Sequence, residues 1–153
     1  MDRNDEFEAA WGEITDIIAQ MVNASIADDD ITVESLRMEV LDKLKDIDCE
    51  FDGNASVLAT IAQYLALPNE KLDLFLKAYR IAERTQDLLN LTLISHSIAE
   101  IYVCDFKDVE NGDAWLSKLN NSLLKYHSNF EYDESKYLAG ELERLRQEKT
   151  QNP

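Results

Sequence analysis

An all-α fold is what this sequence predicts, on three observations. Apolar residues recur at steps of three and four along most of the 153 residues, and no stretch alternates at the two-residue period of a half-buried strand. Glycine and proline number only 4 and 2, as expected of helices joined by short turns. At 45% hydrophobic residues the chain can bury a real core and is not an acidic disordered tail. The expectation is about seven antiparallel helices in a bundle without a sheet, forming one domain over residues 1–148. Within it, residues 1–54 form an acidic N-terminal helix pair, residues 55–148 a helical-hairpin core, and residues 149–153 a fraying tail.

The first helix is expected over residues 5–23, where Phe7, Trp11, Ile14, Ile18 and Met21 share a face. Asn4 is its expected cap, which puts Asp5 and Glu6 at the positive end of the helix dipole. From Asn23 to Asp30 the chain is polar and reads as a loop ending in Asp28, Asp29 and Asp30. A second helix over residues 33–47, capped by Thr32, aligns Val33, Leu36, Val40, Leu41, Leu44 and Ile47. Gly53 breaks the chain after it. The third helix, residues 56–67, turns Val57, Leu58, Ile61 and Leu65 inward and is stopped by Pro68.

Lys71 to Tyr102 is the densest apolar stretch and reads as two long helices around a tight turn. Leu72, Phe75, Leu76, Tyr79 and Ala82 form one stripe, with Leu74, Ala78 and Ile81 beside it, so neighbours should enclose this fourth helix on two sides. Its remaining face carries Lys77, Arg80 and Arg84. The fifth helix runs from Asp87 to Cys104 through Leu91, Ile94, Ile98 and Ile101. Asp105 to Asp113, with Gly112, reads as a turn region. Trp115, Leu119, Leu123 and Tyr126 mark the sixth helix, and Leu138, Leu142 and Leu145 the seventh, over residues 134–147.

Within this stretch, Ile98-Ala99-Glu100-Ile101-Tyr102 resembles the L-G-x2-Y element of the tetratricopeptide repeat. Thr85-Gln86-Asp87 is similar to the turn between repeats, and Lys77 to Glu83 to a closing helix. The resemblance spans roughly residues 56–127, with Ser95 where the family places Trp and Asn111 where it places Ala. It implies a stack of helix hairpins whose concave face binds a peptide or helix of another protein, and it implies no chemistry.

Charge is the strongest compositional signal, at −16 overall. Residues 1–54 hold 16 acids and 4 bases, for −12, which leaves −4 for the remainder. Such a field repels nucleic acid and anionic membrane and speeds encounter with basic partners. No apolar run approaches the roughly 18 residues of a membrane span, and MDRNDEFEAAW lacks the pattern of a signal peptide. A cytoplasmic protein is expected.

Candidate chemistry is sparse. Asp48-x-Glu50-x-Asp52-Gly53-Asn54 matches the opening of a calcium-binding EF-hand loop, but Ala59 stands where the bidentate Glu belongs, so a solvated acidic turn is the better account. His96, Glu100 and Cys104 follow one another at single helical turns, as metal ligands or a nucleophile and its base would. No second ligand pair is visible and His127 sits in a polar segment, so a boundary histidine and a buried thiol are expected, with no metal or other cofactor. Cys49 and Cys104 alone make no disulfide framework.

The function expected is non-catalytic binding of another protein, of chaperone, immunity or scaffold type. Its partner would be basic or present an amphipathic segment, with neither nucleic acid nor membrane bound directly; a homodimer is compatible. Contact residues would be the aromatics Tyr79, Tyr102 and Trp115, the cations Lys77, Arg80 and Arg84, and the acids Asp28, Asp29 and Asp30. Trp11 and Phe51 are further candidate anchors. The alternatives are an acidic inhibitor that mimics nucleic acid and, second, a metal-dependent enzyme.

Overall fold

The structure is a computed structural model that describes residues 3–50, 54–126 and 128–151, with side chains described at residues 5–47, 54–126 and 128–151. Phe51, Asp52, Gly53 and His127 lie outside the described residues; Asp48, Cys49 and Glu50, which open the EF-hand-like run, end α2 and their side chains are not described. Among the described residues there are seven α-helices and no strand. They are α1 (Arg3–Ile26), α2 (Asp30–Glu50), α3 (Ala55–Tyr64), α4 (Pro68–Thr85), α5 (Leu88–Glu100), α6 (Val109–Leu123) and α7 (Asn129–Gln151), with a π-helical turn at Ile101–Asp105 continuing α5. The all-α expectation holds, and none of these helices is long and apolar enough to cross a membrane.

The chain divides into two compact units, Met1–Tyr64 and Leu65–Pro153. In the first, α1, α2 and α3 bury Ile14, Ile17, Val40, Leu44, Val57, Leu58 and Ile61. Arg37 grips Glu34 with two hydrogen bonds and donates a third to the Tyr64 carbonyl, so one α2 side chain caps the carbonyl end of α3. The polar loop expected from Asn23 shrinks to three residues, because α1 continues to Ile26. Two expected caps shift as well. Asn4 lies inside the first turn of α1, and Asp29, not Thr32, accepts the free backbone N–H at the start of α2, from Thr32 itself.

In the second unit, α4 begins with Pro68 in its first turn and ends at Gln86, whose left-handed backbone (φ 55°) reverses the chain. The Asp87 N–H then bonds back to the Ala82 carbonyl. The same device starts the next two helices: Asp87 accepts from the Asn90 N–H and Nδ2, and Asp108 accepts from the same two donors of Asn111. Both α4 stripes are covered as expected, with Phe75, Ala78, Tyr79, Ile81 and Ala82 buried. A second cluster joins Ala99 and Val103 to Leu116, Leu119, Leu138, Leu142 and Leu145.

Gly112, expected from the sequence in a turn, lies inside α6 and is buried. A Cβ there would come within 2.8 Å of Val103 Cγ2 and 3.2 Å of Leu142 Cδ2, so the absent side chain is what lets α6 approach its neighbours. A π turn ends α5, with the Phe106 N–H bonded to the Ile101 carbonyl five residues back. Val103 lies one turn beyond buried Ala99 and joins it in the core, whereas Cys104 lies one turn beyond Glu100, on the side that faces solvent, and is exposed. The expectation of a buried thiol is therefore corrected.

Candidate functional site

His96 is the buried polar centre of the second unit. It sits on α5 among Ile94, Ser95 and Ile98, only 9% exposed. Two carboxylates come from α7 and one from its own helix. Nδ1 lies 2.9 Å from Oε2 of Glu131, and Nε2 lies 3.3 Å from Oε2 of Glu100 and 3.6 Å from Oε2 of Glu134. Glu131 is itself 3% exposed, whereas Glu100 faces solvent on one side. The Phe130 ring meets the imidazole edge-on, with centroids 6.0 Å apart.

Each position has a local cause. Glu100 follows His96 by one turn of α5. Glu131 and Glu134 occupy the first turns of α7, where Ser128 accepts the Glu131 N–H and the leucines of α7 fix which face turns inward. Burial alone disfavours the imidazolium, but the carboxylates of Glu100 and Glu131 outweigh it and push the pKa of His96 up to about 10. The same contact with His96 holds the Glu100 carboxyl below its usual value. Yet neither His96 Nε2 nor Glu131 Oε2 makes a contact with hydrogen-bond geometry. Although Cys104 is exposed, partial desolvation of its thiol and the acids Glu100, Glu141, Asp105 and Glu134 raise its pKa, which makes it a poor nucleophile.

The expected contact residues fall in separate places. Tyr79, Arg80 and Trp115 come together: the two rings meet edge to face with centroids 4.8 Å apart, and Lys118 lies 5.1 Å from the Trp115 centroid. With Leu76 and Glu83 they line a depression of about 280 Å³. Tyr79 itself is buried beneath it. Tyr102 is half-buried and pairs with Phe106 instead, and Lys77 and Arg84 stay in solvent. Asp28, Asp29 and Asp30 are exposed at the α1–α2 turn, where Asp28 takes a left-handed backbone (φ 58°). Ile26 and Ile31 flank them, 77% and 87% exposed. Trp11 stacks on Phe7, with centroids 5.9 Å apart.

Sequence reasoning found His96 and Glu100 but missed Glu131 and Glu134, and it missed Lys118 and the two isoleucines. No known protein family, curated protein or solved structure matches this chain.

Proposed function

We propose that the protein is a non-catalytic binding module for another protein that is basic or presents an amphipathic segment, of the chaperone, immunity or scaffold kind. The observation that carries this reading is the α1–α2 turn: three exposed aspartates between two isoleucines that bury almost nothing. An exposed aliphatic side chain contributes nothing to folding at such a site and gains on association about 25 cal/mol for each Å² it loses to a partner. Aspartates beside it select a basic partner and speed its arrival. The net charge of −12 on residues 1–54 extends that field. On the same reading the helices around Tyr79 and Trp115 are tetratricopeptide-like hairpins, and their depression, rimmed by Arg80, Lys118 and Glu83, takes an apolar anchor from an amphipathic segment.

A photo-crosslinking side chain placed at Ser25, beside the turn, tests this in native lysate at low and high salt. The expected result is a basic protein that stays bound at high salt and is lost from the double variant Ile26→Ser, Ile31→Ser. Recovery of a nucleic-acid-binding protein at low salt alone, unaffected by the isoleucine changes, would overturn it in favour of a nucleic-acid mimic, which needs charge and no apolar anchor.

A further inference from the structure

Two carboxylates converge on one imidazole nitrogen, and no hydrogen bond results. A proton on Nε2 has a single direction, so it can serve Glu100 or Glu134 but not both. A metal cation has no such restriction. Zinc and its neighbours bind imidazole nitrogen and carboxylate oxygen at about 2.0–2.2 Å, which spaces adjacent ligand atoms about 3.0 Å apart in octahedral and 3.4 Å in tetrahedral arrangement. The spacings from His96 Nε2 are 3.3 and 3.6 Å, and the three ligand atoms lie within 4.8 Å of one another. The two spacings from Nε2 are already within a few tenths of an ångström of these values, and the two carboxylate oxygens, up to 4.8 Å apart, close on an ion by a side-chain movement of about 1.5 Å between partly exposed glutamates.

Glu131 supplies the independent observation. It is almost fully buried, it lies against Nδ1, and its Oε2 lacks a hydrogen-bond partner. A carboxylate behind the distal nitrogen is what a ligating histidine usually has: it accepts a hydrogen bond from Nδ1–H, which keeps the proton on that nitrogen, fixes the tautomer, and leaves the Nε2 lone pair facing the metal.

We propose that His96 Nε2, Glu100 and Glu134 bind one divalent first-row transition ion of the zinc class, with Glu131 as the positioning residue behind the histidine. Binding releases the Nε2 proton to solvent, and the ion takes its place between the carboxylates. One ligand nitrogen and two carboxylate oxygens exclude a site built for magnesium or calcium, which take oxygen alone. Because two ligands come from α5 and one from α7, the ion ties those helices together; the exposed side of Glu100 leaves its remaining position to water. The site is independent of the partner-binding reading and stands or falls separately.

The test is calorimetric titration of the chelator-treated, full-length protein with Zn²⁺ in excess Mg²⁺, together with visible spectroscopy of the Co²⁺ form. One ion per chain is expected. Glu100→Gln and Glu134→Gln, each changing a partly exposed side chain and leaving the fold intact by circular dichroism, should each weaken binding at least about tenfold, and Glu131→Gln by about 10–100-fold. Imidazole ¹⁵N spectra should show His96 Nε2 losing its proton when Zn²⁺ is added. Absence of saturable binding, binding that both Gln variants leave unchanged, or a His96 that keeps its Nε2 proton at saturating Zn²⁺ would each overturn the proposal.

Discussion

At the scale of single residues, His96 shows how burial and charge compete. Desolvation would lower its pKa, and adjacent carboxylates reverse that. The folded value of about 10 lies above the 6.5 of the unfolded chain, so protonated His96 contributes stability that is fully present below pH 6.5 and is lost as pH rises through 10. The expected outcome for chelator-treated protein is a melting temperature that falls across this window, by at most a few kcal/mol of stability. The fall should be missing in His96→Gln, and proton NMR of the imidazole should give the pKa directly; an imidazole that titrates near 6.5 would contradict the argument. Half of this cluster was legible in the sequence, since His96 and Glu100 are one helical turn apart. The other half needed α7. A signal was present: stepping back from Leu145 and Leu142 through Leu138 by threes and fours reaches Ser135 and then Glu131, both buried. A glutamate on an otherwise apolar stripe demands a partner, but which helix supplies it depends on packing between residues more than thirty positions apart, which periodicity does not encode.

At the scale of elements, α6 and α7 offer the same substitution with opposite signs. Gly112→Ala gains about 1 kcal/mol of helix propensity. It also drives a methyl into Val103, a stiff β-branched side chain, at 2.8 Å, and overpacking of this kind costs about 1–3 kcal/mol. A net loss of stability is expected. Gly140 lies within α7 with nothing within 4 Å of its missing Cβ, so Gly140→Ala should stabilise by about 0.5–1 kcal/mol. Urea denaturation of the two variants beside the parent checks both signs, and a stabilised Gly112→Ala would show that α6 can move away from Val103 at little cost. Asp87→Ala and Asp108→Ala each remove a helix cap and should cost about 0.5–2 kcal/mol by the same measurement. The interiors of these helices were readable from apolar spacing, as the burial of Leu138, Leu142 and Leu145 illustrates. Their ends and interruptions were not. Glycine carries the same letter in a turn and at a close helix crossing, and a π turn leaves no local mark in Ile101-Tyr102-Val103-Cys104-Asp105.

At the scale of the whole molecule, charge and structure divide the chain at nearly the same point. Residues 55–64 contain no Asp, Glu, Lys or Arg, so Met1–Tyr64 carries −12 and Leu65–Pro153 carries −4. The first unit concentrates like charges on a smaller body, where only four bases are available to 16 acids; its ion pairs include Arg37 with Glu34, and Lys43 with Glu13 at 3.6 Å. Its folded state therefore works against self-repulsion, which salt relieves as the screening length falls from about 30 Å at 0.01 M to about 8 Å at 0.15 M. The second unit holds exposed pairs of Arg144 with Glu141 and Glu148 and of Arg146 with Asp113, whose small attractions salt weakens. Added sodium chloride should consequently slow amide hydrogen exchange in α1 and α2 while leaving α6 and α7 unchanged or slightly faster. Exchange measured by mass spectrometry at two salt concentrations resolves the two units within one sample. A response of the same sign and size in both would mean that the −12 of the first unit is spread too thinly to strain its fold. The aspartates at the α1–α2 turn would then have no excess field to offer a basic partner beyond their immediate contacts.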